Sequence, residues 1–260
     1  MCKELLLSSL TMQSALYNLP EKTERQKSNQ ELANLFANIV ANSNIDSFYE
    51  IGALYAEFSM YIKNRVGEVF AFEASPRNYN LGKENIDGIE YLNVAVSNYD
   101  GEITINVGIS ENANIGADSV LDRIDNGTTE YKKETVECLK LDTFINSKNL
   151  NGKTNALWID VEGSALDVLE GAKENLLNTK TIFIEMEQVS LWKDQNLVAD
   201  INKYLCDFGF VPIARDFEYE NQFNVIYVKE EILYKPEVDI SLQMFYAGYA
   251  TRESKYVQKI

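Results

Sequence analysis

The chain has 260 residues, long enough to bury one large core, and its 45% hydrophobic and 25% charged residues exclude a disordered, collagen-like or coiled-coil rod. It has 40 acidic against 24 basic residues, a net charge of -16, and such a field repels phosphate backbones and anionic lipid headgroups, which argues against nucleic-acid and membrane partners. Its histidine count is 0, which removes the commonest general base, the commonest metal ligand and every Ser-His or Cys-His mechanism, leaving carboxylates, Lys, Tyr or Cys for acid-base work.

Cys2, Cys138 and Cys206 are far apart, odd in number and without CxxC spacing. They read as reduced thiols of a cytoplasmic protein, not as a disulfide framework or a zinc cluster. No apolar run approaches the roughly 18 residues of a membrane span, and Leu5-Leu6-Leu7 is too short for a secretory segment.

The first 44 residues read as helical. Leu32, Leu35, Phe36, Ile39 and Val40 keep helical spacing, Leu6, Leu10 and Leu16 suggest an earlier helix, and the polar stretch from Leu19 to Asn29 reads as the connection between them. From Asp46 short apolar runs alternate with helix-length segments, the pattern of βαβ units and a mostly parallel sheet. Phe48 to Ile51, Val69 to Phe72, Tyr91 to Val96, Ala156 to Ile159 and Ile182 to Ile184 are the expected buried strands. Ile103 to Val107 and Thr135 to Leu141 read as extended, flanking a polar insertion with Asn112, Asn114, Gly116, Gly127 and Thr128 that suits a functional loop or lid. Ser164 to Leu177 and Leu197 to Phe208 have helical texture, and Phe210 to Ala214 with Val225 to Val228 suits an antiparallel edge hairpin. The tail from Pro236 carries Phe245, Tyr246 and Tyr249, which suit packing on the body or a homodimer surface.

The candidate chemistry lies at strand ends. Glu50-Ile51-Gly52-Ala53 closes the first strand, and glycine there permits a sharp turn and close approach to a ligand, although Leu54 and Ala56 break any GxGxxG pattern. Glu73 ends the second strand 21 residues past Gly52 (73 - 52), the spacing at which an acid accepts the ribose hydroxyls of a bound nucleoside. Asp160 and Glu162 follow the fourth parallel strand, and i, i+2 spacing puts both on one face while the strand continues, either as base and ligand holder or as a helix N-cap pair. Glu185 and Glu187 repeat that geometry after the next strand. No recognisable metal-binding loop accompanies these acids, so no metal is assigned, although carboxylate oxygens suit a hard divalent cation.

Taken together, these segments resemble the FkbM family of S-adenosylmethionine-dependent methyltransferases from about Phe48 to Trp192. The motifs are Glu50 to Ser59, Val69 to Asn78, Asn93 to Ser97, Leu141-Asp142, Asp160-Val-Glu162-Gly163 with its helix, and Ile184-Glu185. The resemblance implies an α/β, Rossmann-like Class I sheet of order 3-2-1-4-5-7-6 with strand 7 antiparallel, helices on both faces and an N-terminal helical extension. Its domains would be a helical region 1–44, a methyltransferase domain 45–235 and a tail 236–260.

It further implies that Glu50, Gly52, Ala53, Glu73, Ala74, Asn78, Ala95, Val96, Ser97 and Asp160 hold S-adenosylmethionine, with Asp160, Glu162 or Glu185 as base and a sugar or other small-molecule hydroxyl as acceptor. Leu54 and Ala56 stand where the family usually has Asn and Gly, Trp158 where Lys is common and Ala165 where Glu is usual. These departures leave open a non-catalytic nucleoside-binding relative and transfer to nitrogen or another non-sugar acceptor. A nicotinamide oxidoreductase, the third reading, is disfavoured by the incomplete glycine pattern.

Overall fold

The computed structural model describes residues 22–110, 114–125, 129–236 and 238–246. In chain order its first elements are α1 (Lys22–Asn42), β1 (Ser47–Ile51), α2 (Glu57–Ile62), β2 (Glu68–Phe72), α3 (Pro76–Gly82), β3 (Glu90–Leu92), β4 (Ala95–Val96), β5 (Gly101–Gly108) and β6 (Tyr131–Leu139). They are followed by α4 (Leu141–Ser147), β7 (Asn155–Ile159), α5 (Ala165–Gly171), β8 (Thr179–Glu187), α6 (Val198–Asp207), β9 (Phe210–Arg215) and β10 (Gln222–Lys229). A last helix, α7, covers 238–246.

The main sheet has seven strands in the order β3-β2-β1-β7-β8-β10-β9. Pairing is parallel from β3 through β8, and β10 runs antiparallel to both β8 and β9. This is the expected Class I arrangement. A second sheet, β4-β6-β5, stands beside it.

Strands buried on both faces need apolar residues at every position, and alternation then divides them between two layers. Tyr49, Ile51, Leu157, Ile159, Ile182 and Ile184 pack with Phe144 and Ile145 of α4, Val168 and Leu169 of α5 and Leu205 of α6. Phe48, Ala156, Phe183, Ile226 and Val228 face the other way, toward Leu32, Leu35, Phe36, Ile39 and Val40 of α1. On that face Trp158 stacks on Phe183 with ring centroids 3.6 Å apart and on Phe58 at 4.2 Å, so the position where the family prefers Lys belongs here to an aromatic column.

Two expectations need correction. The segment from Lys22 to Asn29 is helical, not a connection: Ser28 and Asn29 meet the β9–β10 loop, where Ser28 Oγ accepts from Phe217 N at 2.9 Å and Asn29 Nδ2 donates to Glu218 at 2.8 Å. Tyr91 to Val96 is not one strand, because Asn93 Nδ2 donates to the carbonyls of Glu73 (2.8 Å) and Ala74 (3.2 Å) and turns the chain, which sends Ala95 and Val96 into the second sheet. The helix suggested by Leu6, Leu10 and Leu16 lies outside the described residues, as does Tyr249 of the tail, whereas Tyr246 donates its hydroxyl to the Ile213 carbonyl. Among the described residues no helix is long and apolar enough to cross a membrane.

Phe36 is fully buried, with ring centroids 6.3 Å from Phe48, 5.7 Å from Phe58, 5.9 Å from Trp158 and 5.7 Å from Phe183. Phe36→Ala is therefore expected to cost about 3–5 kcal/mol, from lost transfer and the cavity left behind. Urea denaturation measures this; a loss under about 1 kcal/mol would show that α1 does not dock on the sheet.

Candidate active site

The end of β1 is held against the end of β7 at backbone distance. Asp160 N donates to Ile51 O at 2.9 Å, and a Cβ on Gly52 (φ +79°) would lie 1.8 Å from the Asp160 carbonyl oxygen. Only glycine meets both conditions. Gly52 N and Ala53 N then both donate to the Phe72 carbonyl, at 3.0 and 2.9 Å, which ties the turn to the end of β2. Leu54 and Ala56 follow at φ 48° and 53°, a left-handed conformation that costs an L side chain roughly 1–2 kcal/mol. Asn and Gly tolerate that conformation, so the two departures from the family pattern carry local backbone strain.

Glu73 anchors this turn. Its Oε2 accepts from Leu54 N at 2.8 Å and its Oε1 from Ser75 N at 2.7 Å, while Tyr91 donates its hydroxyl to the Leu54 carbonyl. A carboxylate offers about four acceptor directions, so two remain for a ligand's hydroxyls. Those free acceptor directions fit the hydroxyls of a nucleoside at the end of β2.

The cleft above these strand ends is lined by Gly52, Glu73, Ala74, Asn78, Ala95, Val96, Asp160 and Glu162. Four other expected residues sit elsewhere. Glu50 is buried beneath α2, accepting from Ser59 N at 2.8 Å; Ala53 packs with Ala56 and Ala71. Ser97 donates its N–H to Leu139 O at 3.0 Å, and Glu185 lies in β8 behind Asp160.

The insertion supplies residues that the strand-end pattern did not reveal: Gly116, Asp118 and Ser119 also line the cleft. Arg77 pairs with Asp118 at 2.8 Å and donates to the Gly108 carbonyl, while Asn78 Nδ2 donates to Ile115 O at 2.8 Å, so α3 holds the insertion in place. Nothing in the sequence links Arg77 to a partner 41 residues away.

The acids gather on the α1 face, next to the Trp158–Phe183 stack, but not as strand alternation suggested. β7 stops at Ile159, and Glu162 (φ 48°) returns its carboxylate through a left-handed turn backed by Gly163, where a Cβ would meet the Trp192 ring at 2.9 Å. Glu185 and Glu187 belong to β8 itself, not to the loop beyond it. Oxygens of Glu162, Glu185 and Glu187 lie within 4.8 Å of one another.

Burial beside aromatic rings, then mutual repulsion, sets the protonation of these groups. Desolvation pushes Glu50 and Glu73 up to about 7, against backbone hydrogen bonds that favour their charged forms. It likewise raises Asp160, Glu162 and Glu185, and Glu187 to about 7. A hydrogen bond with Glu185 opposes the rise at Asp160 and adds to it at Glu185, so the pair keeps its proton on Glu185 and its charge on Asp160.

The family model for the methyltransferase FkbM domain matches residues 37–212, well over half of the chain, and covers this turn, Glu73 and the acids. The chain belongs to the FkbM methyltransferase domain family. The domain is 27% identical over 155 residues to the 2-O-methyltransferase NoeI of Sinorhizobium fredii (strain NBRC 101917 / NGR234), spanning 55% of this chain and 63% of that protein. Among solved structures, the FkbM methyltransferase of Methylobacillus flagellatus KT aligns at 11% identity and a TM-score of 0.42, covering 70% of this chain and 44% of that one. The magnesium protoporphyrin IX methyltransferase of Synechocystis PCC 6803, with bound SAH, aligns at 10% identity and 0.44, covering 80% and 86%.

A carboxyl raised from 4.5 in the unfolded chain to about 7 in the fold binds more protons when folded. Its contribution is complete below pH 4.5 and is lost as pH rises through 7. The urea midpoint is therefore expected to fall between about pH 5 and 8, with a smaller fall in the Glu50→Gln, Glu73→Gln double variant. A midpoint that rises over that window would contradict the burial of these two acids.

Proposed function

We propose that this FkbM domain transfers a methyl group from S-adenosylmethionine to a hydroxyl oxygen of a small molecule, a sugar or phosphorylated intermediate of surface-glycan or natural-product biosynthesis, in the cytoplasm. The observation that carries the reading is the shared cleft: a nucleoside-accepting acid, Glu73, and a buried base, Asp160, open into the same space beside Gly52. Family membership supports methyl transfer, and the relative named a 2-O-methyltransferase supports oxygen as the acceptor atom. The buried free thiol of Cys138 is consistent with a reducing compartment.

When bound, S-adenosylmethionine supplies a sulfonium-activated methyl, whose carbon–sulfur bond breaks onto sulfur as the acceptor oxygen forms its bond to carbon. The protein's task is alignment and removal of one proton. Glu73 orients the nucleoside through its two remaining acceptor directions, and the Gly52 turn lets the backbone approach. Asp160 takes the acceptor's hydroxyl proton; its raised pKa makes it a stronger base than an exposed aspartate. Glu162 lines the same cleft and orients the acceptor.

The test is methyl transfer from labelled S-adenosylmethionine to a panel of sugars, sugar phosphates and nucleotide sugars. Asp160→Asn is expected to lower turnover by roughly 100-fold or more, with cofactor affinity changed only a few-fold. Unchanged turnover would remove Asp160 from the role. Tight binding by the parent chain without transfer to any hydroxyl would favour the non-catalytic nucleoside-binding reading, to which the strained Leu54 and Ala56 already lend a physical basis.

A further inference from the structure

Glu185 and Glu187 of β8 gather with Glu162 in a cluster that proton removal at Asp160 does not use. Oxygens of Glu162, Glu185 and Glu187 lie within 4.8 Å of one another, with Asp160 hydrogen-bonded to Glu185 and Arg123 acting on Glu162 without forming an ion pair. Gln195 donates to Glu187 Oε2 at 2.7 Å and Gln222 to Glu162 Oε2 at 3.3 Å. Among the described residues no Lys or Arg forms an ion pair with any of the three. Burial without a paired cation disfavours the charged form of a carboxylate.

A second observation is independent of that clustering. Glu185 Oε2, Glu187 Oε1 and the amide Oδ1 of Asn224 are buried with no hydrogen-bond partner among the described residues. Glu187 is only 1% exposed and Asn224 7%. Asn224 is the cross-strand partner of Glu185, and Gln222 that of Glu187, in the antiparallel β8–β10 ladder. Side chains directly opposed in such a ladder leave the sheet on the same side. The Asn224 amide nitrogen is already used, donating to Asp216 Oδ2 at 2.7 Å, so its unpartnered end is an oxygen. Carboxylate and amide oxygens without donors are the ligand set of a hard divalent cation, whose metal–oxygen distances of about 2.0–2.6 Å span such a separation.

We propose that Glu162, Glu185 and Glu187 bind one hard divalent cation beside the cleft. Its contribution to chemistry rests on the methyl-transfer reading: Glu162 belongs to both the cation site and the cleft, so a cation there would hold an acceptor hydroxyl and ease loss of its proton in a chain without histidine.

The experiment is titration of the chelator-stripped full chain with Mn2+, read by electron paramagnetic resonance and calorimetry, with Mg2+ and Ca2+ as competitors. SAH affinity is measured on the same samples. The expected result is one Mn2+ per chain, displaced by Mg2+ or Ca2+, with affinity lowered at least tenfold in both Glu187→Gln and Glu185→Gln while SAH affinity stays within threefold. Absence of saturable Mn2+ binding at millimolar concentration in the parent chain overturns the cation site, because the acids then share protons alone; normal SAH binding in that sample leaves the methyl-transfer reading standing. Mn2+ binding that both variants retain in full also overturns it. Mn2+ binding without SAH binding would support the site and remove the function built on it.

Discussion

The backbone crossing of Gly52 and Asp160 organises everything above the sheet. Ile51 accepts the Asp160 N–H, and the Asp160 carbonyl fills the space where any side chain at position 52 would stand. Because the ends of β1 and β7 are pinned at this distance, the turn after β1 must leave sharply toward β2, where the Phe72 carbonyl receives two of its N–H groups. Glu73, one residue farther on, then reaches back to Leu54 N. One close contact thus sets the Glu73 side of the cleft and brings Asp160 to its edge.

The same pinning explains why the carboxylates are buried. Asp160 and Glu185 follow Trp158 and Phe183 by two residues on adjacent strands, so they continue an aromatic stack on the α1 face. Burial there disfavours charge, and Arg123 is the cation that acts on Glu162 among these acids. A carboxyl in such surroundings keeps its proton to a higher pH and, once ionised, is a stronger base. A chain lacking histidine obtains near-neutral acid-base groups in this way.

Much of this was legible in the sequence because the elements that carry it are local. The apolar runs at 48–51, 69–72, 156–159 and 182–184 marked parallel strands, and Gly52, Glu73 and Asp160 stood at their ends, where ligands of α/β sheets bind. What stayed hidden depended on contacts distant in sequence. The polar half of α1 looked like a linker because its partners, Phe217 and Glu218, lie 189 residues away. Asn93 split one apparent strand through bonds to the carbonyls of Glu73 and Ala74. Glu162 reaches its neighbours through a left-handed turn that period-2 alternation cannot express, and Asp118 enters the cleft only because Arg77 draws the insertion over it.

The claim on which the account stands is that the Glu73 cleft holds an S-adenosyl nucleoside. Thermal unfolding with SAH, with NAD as control, measures it directly in the native chain and in Glu73→Ala. At 100 times its dissociation constant a ligand contributes about 2.7 kcal/mol, which moves the melting temperature by several degrees. The account predicts stabilisation by SAH alone and a much smaller shift in Glu73→Ala. Equal shifts with NAD, or an SAH shift that Glu73→Ala leaves intact, would contradict it.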